Sequence, residues 1–482
     1  MTTRRELIVA LSDAVGDSNV LWRPEDLLVY GFDATVEQAL PHAVALPETA
    51  AEVAAVIRAC NRLSVPLTPR GAGTGLSGGA VPHQRGVVVA TGRMRRILDL
   101  NPVDRVAIAE PGVPNIALSE AAAPHGLFYA PDPSSQKVCT IGGNVAENAG
   151  GAHCLALGVT TNHITGVEVV TAAGDIVSLG GLVPDSLGYD LRGVFIGSEG
   201  TLGIATKIAV RLEPLPPAVV TLLAIFDEMG QATSSVSAII GGGLIPAAVE
   251  MLDKTTIEAA EAGLACGYPP DAGAVLLVEV DGIEERTARQ ARQVRAICLE
   301  NGAREVRAAD TAAERELLWR GRKGAIGALG FLAPNYYILD GVVPRSRLGE
   351  VMAGVQAVET EFGLRIANVF HAGDGNLHPC ILFDDRQPGA REKVLEAGAR
   401  VMELCLDSGG ALSGEHGIGH EKRRFMELLY SAADLENMER LRGVFGNDGL
   451  FNPCKILPGG AGCGEVANQA AALAAAGPDA YV

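Results

Sequence analysis

The sequence predicts an α+β fold in two parts, and three observations carry that prediction. Over residues 1–217, short β-branched runs alternate with amphipathic stretches, broken by glycine-dense loops at 70–80, 140–151 and 197–204. Glu213-Pro214-Leu215-Pro216-Pro217 then places three prolines in five residues, a run that cannot continue a sheet. Beyond it comes a strand–helix–strand–helix order that repeats over 336–383, the order of a ferredoxin-like α+β module serving as a cap. The expected organisation is a first domain of two α/β subdomains at 1–217, a cap at 218–420, a helical segment at 421–458 returning to the first domain, and a flexible, Gly/Ala-rich tail at 459–482.

The elements follow in order. Residues up to about Pro41 read as a polar, partly helical lead-in. Thr49 and Glu52 form a capping-box pattern, and Val53, Val56, Ile57 and Cys60 share one face of the helix it starts. Strands are expected at 65–69, 86–91 and 105–110, a helix at 115–125, a hairpin of 164–171 with 175–179, and a strand at 208–212. In the cap, strands are expected at 219–226 and 274–280, with helices at 229–240 and 284–301.

Composition narrows the functional classes. The chain has 482 residues, 48% hydrophobic and 20% charged, with a formal charge of −18. Such an acidic surface repels nucleic acid and anionic membranes, so an anionic substrate needs local positive charge. Nine cysteines without a Cys-x-x-Cys pair point to reduced thiols in the cytoplasm and against an iron–sulfur cluster on this chain. The apolar run after Arg4-Arg5 is broken by Asp13, too soon for a signal peptide. No run approaches the ~20 apolar residues of a membrane helix.

The most informative stretch is Phe370-His371-Ala372-Gly373-Asp374-Gly375-Asn376-Leu377-His378-Pro379. A strand enters a turn built from Gly373, Asp374, Gly375 and Asn376, and another leaves it, so a tight reversal brings both imidazoles to one side. Two imidazoles aimed at one point are half of a metal site. Ser413-Gly414-Glu415-His416-Gly417 offers a carboxylate and a further imidazole to complete it. Residues 70–80 hold five glycines in eleven positions; so few side chains expose backbone N–H groups that can cradle a phosphate. The loop fits neither the P-loop nor the Gly-x-Gly-x-x-Gly dinucleotide pattern. Three such loops in one domain suggest an extended ligand with a pyrophosphate.

Residues 69–79, Pro-Arg-Gly-Ala-Gly-Thr-Gly-Leu-Ser-Gly-Gly, resemble the pyrophosphate loop of the vanillyl-alcohol-oxidase (PCMH-type) FAD-binding flavoproteins. Residues 131–135, 140–151 and 197–204 resemble their later FAD-contacting segments, and 371–379 with 413–419 resemble the 2-hydroxy-acid dehydrogenase branch. Within it, Trp319-Arg320-Gly321-Arg322-Lys323 and residues 334–341 are most similar to the catalytic FAD subunit of bacterial glycolate oxidase. The match covers roughly residues 20 to 458.

The resemblance implies FAD on Arg70, Gly71, Gly73, Thr74, Gly75, Ser77, Gly78, Pro131, Asp132, Ser134, Thr140, Gly142, Gly143, Asn144, Asn148, Gly150, Gly151, Glu199, Gly200, Ile204 and Asn452, although Glu199 in Gly-Ser-Glu-Gly equally suits a cap of its own turn. It implies a divalent metal (Zn, Mn or Fe) on His371, His378 and Glu415, with His416 as base and Arg322 on the substrate carboxylate; Arg345 is the rival clamp. The chemistry is oxidation of a small 2-hydroxy acid, glycolate or D-lactate, to the 2-oxo acid, with hydride passing to flavin N5. Electrons leave to a partner or quinone rather than oxygen. The implied partners are the iron–sulfur and second flavin-type subunits of a glycolate oxidase complex, which place the chain in the cytoplasm or at the inner face of the membrane. Relatives acting on D-2-hydroxyglutarate carry a lysine near Tyr337 and an asparagine near Cys380; both are absent, which weakens that alternative. The rival of another class, a metal-dependent hydrolase, leaves the glycine loops unexplained.

No histidine lies between Arg70 and Ala80, so FAD is expected to be non-covalent. Acid precipitation should release all flavin to the supernatant, and flavin retained on the pellet overturns this expectation.

Overall fold

The computed structural model describes residues 3–84, 86–183, 188–446 and 449–459. The chain divides into two compact units: Met1–Ala149 with Val159–Pro214 and Glu415–Val482, and Gly150–Gly158 with Leu215–Gly414. The expected tail at 459–482 lies, apart from Gly459, outside the described residues.

The first unit holds two main sheets. In one, Ala43–Ala45, Val87–Ala90 and Leu67–Arg70 run parallel, with Val20–Leu21 antiparallel at the edge. Val87–Ala90 is buried throughout, as a continuous apolar run in a parallel sheet requires. Helices Arg4–Val15 and Ala50–Leu63 bury Leu7, Leu11 and Val15, and Val53, Val56, Ile57 and Cys60, in its core. Thr49 caps the second of these, accepting from the Glu52 N–H at 3.2 Å. The Glu52 carboxylate, however, takes the N–H of Glu48 rather than that of Thr49, so only half of the expected box forms.

The second sheet, in the order Ile97–Asn101, Val106–Ala109, Ile204–Arg211, Ile164–Val170, Ile176–Gly180, is antiparallel throughout. Its central strand starts at Ile204, four residues before the expected 208. Where the sequence suggests only a glycine loop, Ile141–Glu147 is a helix capped by Thr140.

The second unit is built on one eight-stranded sheet. Its first four strands in the chain, Ala218–Phe226, Ala248–Asp253, Ala274–Gly282 and Glu305–Ala308, lie in the order fourth–first–third–second, the ferredoxin-like arrangement. Arg365–His371, Asn376–Phe383 and Asn335–Ile338 extend it, and Gly341–Val342 also pairs with Asn376–Phe383. The strand Ala248–Asp253 and the helix Lys254–Leu264 had no expected counterpart.

Two placements differ from the expected boundaries. Gly150–Gly158 belongs with the second unit, because its Leu155 lies against Gly373 and its His153 meets Glu279. The cap ends at Gly414 rather than 420, because Ile418 and Gly419 bond to Glu199 of the first unit. Cys454 is disulfide-bonded, contrary to the expectation of reduced thiols throughout; among the described residues seven other cysteines form no disulfide.

The C-terminal segment is integral to the first sheet. Leu67 N–H donates to Leu450 O, Asn452 N–H donates to Leu67 O, and Phe451 is fully buried in the core. Phe451→Ala should cost about 3–5 kcal/mol in a denaturant titration of the holoprotein; a loss below 1 kcal/mol contradicts this packing.

Candidate active site

The site in the second unit follows from strand register. Glu250 stands directly opposite His371, and His371 and Val369 stand opposite Asn376 and His378. Because side chains alternate along a strand, this register places Glu250, His371 and His378 on one face. His371 ends its strand and His378 is the third residue of the next, so the two flank the turn, whose Asp374 carboxylate accepts the Asn376 N–H. Gly375 has φ +84°, and a Cβ there would lie 2.2 Å from Val343 O, so only glycine permits this reversal.

The imidazoles are buried, 5.1 Å apart between ring centroids and nearly perpendicular, at 89°. His371 Nδ1 lies 3.0 Å from Glu250 Oε1 and 3.3 Å from Arg322 Nη2. The two contacts demand opposite tautomers. The shorter, charge-assisted one prevails, so Nδ1 carries the proton and donates to Glu250. His378 Nδ1 donates to Leu339 O at 3.3 Å. With both Nδ1 atoms engaged, Nε2 is the nitrogen through which each ring would bind an ion, the usual second-sphere arrangement of metal-ligating histidines.

Arg322 is 2% exposed and pairs with Glu250 Oε2 at 2.5 Å. Its helix, Ala312–Ala328, starts at a capping box of Thr311 and Glu314 and presses Gly321 onto Cys266. Among the described residues Arg322 Nε has no hydrogen-bond partner, a buried donor suited to an incoming carboxylate. Arg345, the rival clamp, is exposed and donates to Gly373 O at 3.1 Å, so it braces the turn. Asp340 is fully buried and accepts from Ser413 Oγ at 2.6 Å and from Gly414 N at 3.1 Å. It thereby fixes the residue immediately before Glu415.

In the first unit the glycine loops meet. A Cβ on Gly71 would lie 2.4 Å from Thr140 Oγ1, and one on Gly200 would lie 3.0 Å from Pro69 Cγ. Among the described residues no backbone bond uses the N–H groups of residues 71–76 as donors, which leaves them to an anion. This suits the pyrophosphate of FAD.

Several residues expected at the cofactor also bond within the protein. Arg70 donates to Phe32 O at 2.6 Å and lies over Tyr30. Pro131 O and the Asn144 carbonyl both accept from Asn115, and Asn148 accepts from Thr161 N–H. Ile204 is buried in the strand core. Gly150 and Gly151 fall in the second unit. Asn452 donates to Gly79 O and Glu199 O. The Glu199 carboxylate accepts the N–H groups of Ile418 and Gly419, at 2.7 and 2.6 Å.

Residues 41–180 match the FAD binding domain family, and residues 215–456 match the family of FAD linked oxidases, C-terminal domain. The glycolate oxidase subunit GlcD of Escherichia coli (strain K12) is 45% identical over 456 residues, 94% of this chain and 91% of that protein. The chain belongs to the FAD-linked oxidases. A D-lactate dehydrogenase of Anaerostipes hadrus is 33% identical, over 92% of this chain and 94% of that protein. The solved structure of p-cresol methylhydroxylase with substrate bound superposes with a TM-score of 0.78 at 19% identity, covering 93% and 96% of the two chains, and so shares the fold. This oxidase has the PCMH-type architecture.

Three residues of the oxidase escaped sequence reading: Glu250, Asp340 and His420. For the first two, both buried, the signal was a lone acid inside an apolar strand-like run, Ala248-Val249-Glu250-Met251-Leu252 and Ile338-Leu339-Asp340. His420 lies beside Gly78, where burial pushes its imidazole down to about 4. It therefore stays neutral at physiological pH.

Glu250→Ala strands the Arg322 guanidinium in the interior. The loss should be about 3–5 kcal/mol by chemical denaturation, with Glu250→Gln losing less because it still accepts a hydrogen bond. Equal stability of Glu250→Ala and wild type would contradict the buried pair.

Proposed function

We propose that this FAD-linked oxidase converts a small 2-hydroxy acid, glycolate or D-lactate, to its 2-oxo acid with the help of a divalent metal ion, Zn, Mn or Fe. The observation that carries the metal is the buried His371–His378 pair, each Nδ1 held by an internal acceptor. Their donor set, with Glu415 as third ligand, is nitrogen and carboxylate, which suits such an ion. When bound, the ion lowers the pKa of a coordinated hydroxyl, and FAD supplies the two-electron acceptor.

The chain's own residues do the rest. Arg322 holds the substrate carboxylate with the donors that Glu250 leaves; it is preferred to Arg345 because it is buried beside His371, whereas Arg345 is exposed. Glu250 and Leu339 O fix the tautomers of the ligating imidazoles. His416, adjacent in sequence to Glu415, takes the hydroxyl proton as the Cα hydrogen departs. The GlcD relative is named as a subunit of glycolate oxidase, which supports partner subunits; the reading adds that they are iron–sulfur and flavin-type and take the electrons instead of oxygen. Among the described residues no helix is long and apolar enough to cross a membrane, so attachment at the inner membrane face would run through a partner.

Anaerobic stopped-flow should show flavin bleaching by glycolate or D-lactate and slow reoxidation by oxygen, with a dye restoring turnover. His371→Ala should lose metal by elemental analysis yet keep FAD. His416→Asn should keep both and slow flavin reduction by about 10²–10⁴-fold. Metal loss in His416→Asn would make His416 a ligand, and active wild type free of stoichiometric metal overturns the metal assignment.

A further inference from the structure

Glu199 has a task that neither a cofactor contact nor a turn cap explains. It is 4% exposed and takes φ +51°, a left-handed conformation that a side-chain-bearing residue holds only when its surroundings enforce it. All of its polar groups are engaged. Its N–H donates to Ala146 O at 2.7 Å, its carbonyl accepts from Asn452 Nδ2 at 2.7 Å, and its two carboxylate oxygens take one amide each, from Ile418 and Gly419.

The receiving segment is shaped to this carboxylate. Gly417 has φ +90°, and a Cβ there would lie 2.5 Å from Glu147 Oε2 and 2.8 Å from Glu199 Oε1. His420 and Glu421 N–H both donate to Ser77 O, and Lys422 Nζ donates to Gly417 O at 3.2 Å. Residues 417–422 therefore sit in a socket of Glu147, Glu199 and Ser77. The two residues just before the socket are Glu415 and His416, and the residue before those, Gly414, is held by Asp340.

The socket is costly. Glu147 and Glu199 are two carboxylates buried together, and burial, opposed for Glu199 by the Ile418 and Gly419 amides, pushes Glu199 up to about 6 and Glu147 well above the usual carboxylate range. Lys455, whose Nζ is bound by the carbonyls of Gly78, Gly79 and Val81, supplies buried positive charge nearby. A turn cap needs none of this, since a neutral Asn or Ser would cap a turn.

We propose that Glu199 is a positioning residue for the hydroxy-acid oxidation: its carboxylate clamps the amides of Ile418 and Gly419 and thereby fixes Glu415 and His416. The proposal rests on the roles given to those two residues under Proposed function.

The test uses the holoprotein and Glu199→Gln, which keeps the size of the side chain but turns an amide donor toward one of the two N–H groups. Hydrogen exchange of the peptide spanning 415–422, FAD stoichiometry, and separate KM and kcat values are read. In wild type the Ile418 and Gly419 amides should be protected; free exchange there overturns the clamp without any variant. In Glu199→Gln their protection should fall at least tenfold and FAD should be retained. The flavin-reduction rate should drop by up to about 10²-fold, the cost of a misplacement of about 1 Å, with a much smaller change in KM because Arg322 lies on another element. FAD loss with protection intact would make Glu199 a cofactor contact, and lost protection with an unchanged rate would remove its role in the reaction. If wild type bleaches with no 2-hydroxy acid, the functional reading fails, and the exchange result still tells that failure apart from failure of the clamp.

Discussion

The second unit's site depends on one buried carboxylate. Glu250 sits mid-strand with no exposure, and it meets the Arg322 guanidinium with one oxygen and the His371 imidazole with the other. Burying an ion is expensive, and only good geometry with further hydrogen bonds offsets that cost. The antiparallel register provides the geometry by setting Glu250 opposite His371, while the close-packed Gly321 face brings Arg322 in from its helix. A pair retained despite this cost is better explained by what it orients than by stability. Here it fixes a tautomer and holds a cation in place, which are functions of a site.

Much of this was legible in the sequence, and the physics explains what was not. Glycine-rich loops, the proline break and the His-x₆-His turn are local signals, because turn chemistry and backbone exposure are written in adjacent residues. The strand Ala248–Asp253 was missed because its residues are all buried: a continuous run of six gives no alternation and does not distinguish strand from helix. Glu250 was lost with it. Glu199 was read as a cofactor contact or a turn cap because only its glycine-flanked setting is visible locally, whereas the partners of its carboxylate lie more than 200 positions away. The segment Gly150–Gly158 continues a loop read as cofactor-binding, yet His153 reaches Glu279 and stacks on Trp319. Pairings at such separations are tertiary facts that no local pattern encodes.

The charge balance fits the same logic. A net −18 would repel an anionic substrate or a pyrophosphate, yet neither site relies on surface cations. The cofactor loop offers backbone N–H groups in place of side-chain charge, and the second unit keeps Arg322 buried, where water and salt screen it little. Burial opposes ionisation of Glu279 in that unit too, but bonds from His153, Thr221 and Trp319 hold its carboxyl below the usual value.

The composition of Ser413-Gly414-Glu415-His416-Gly417 follows from these constraints. A Cβ at Gly414 would lie 1.9 Å from Asn376 Nδ2, and one at Gly417 would collide with Glu147 and Glu199. Both glycines are therefore fixed by what stands against them. Upstream the chain is held by Asp340 through the Ser413 hydroxyl and the Gly414 amide, and downstream by Glu199 through Ile418 and Gly419. Between the two anchors lie only two residues whose side chains can vary, and they are the carboxylate and the imidazole. A chain segment pinned by buried acids has little conformational freedom left to lose, so the Glu415 carboxylate and the His416 imidazole are held on a constrained backbone.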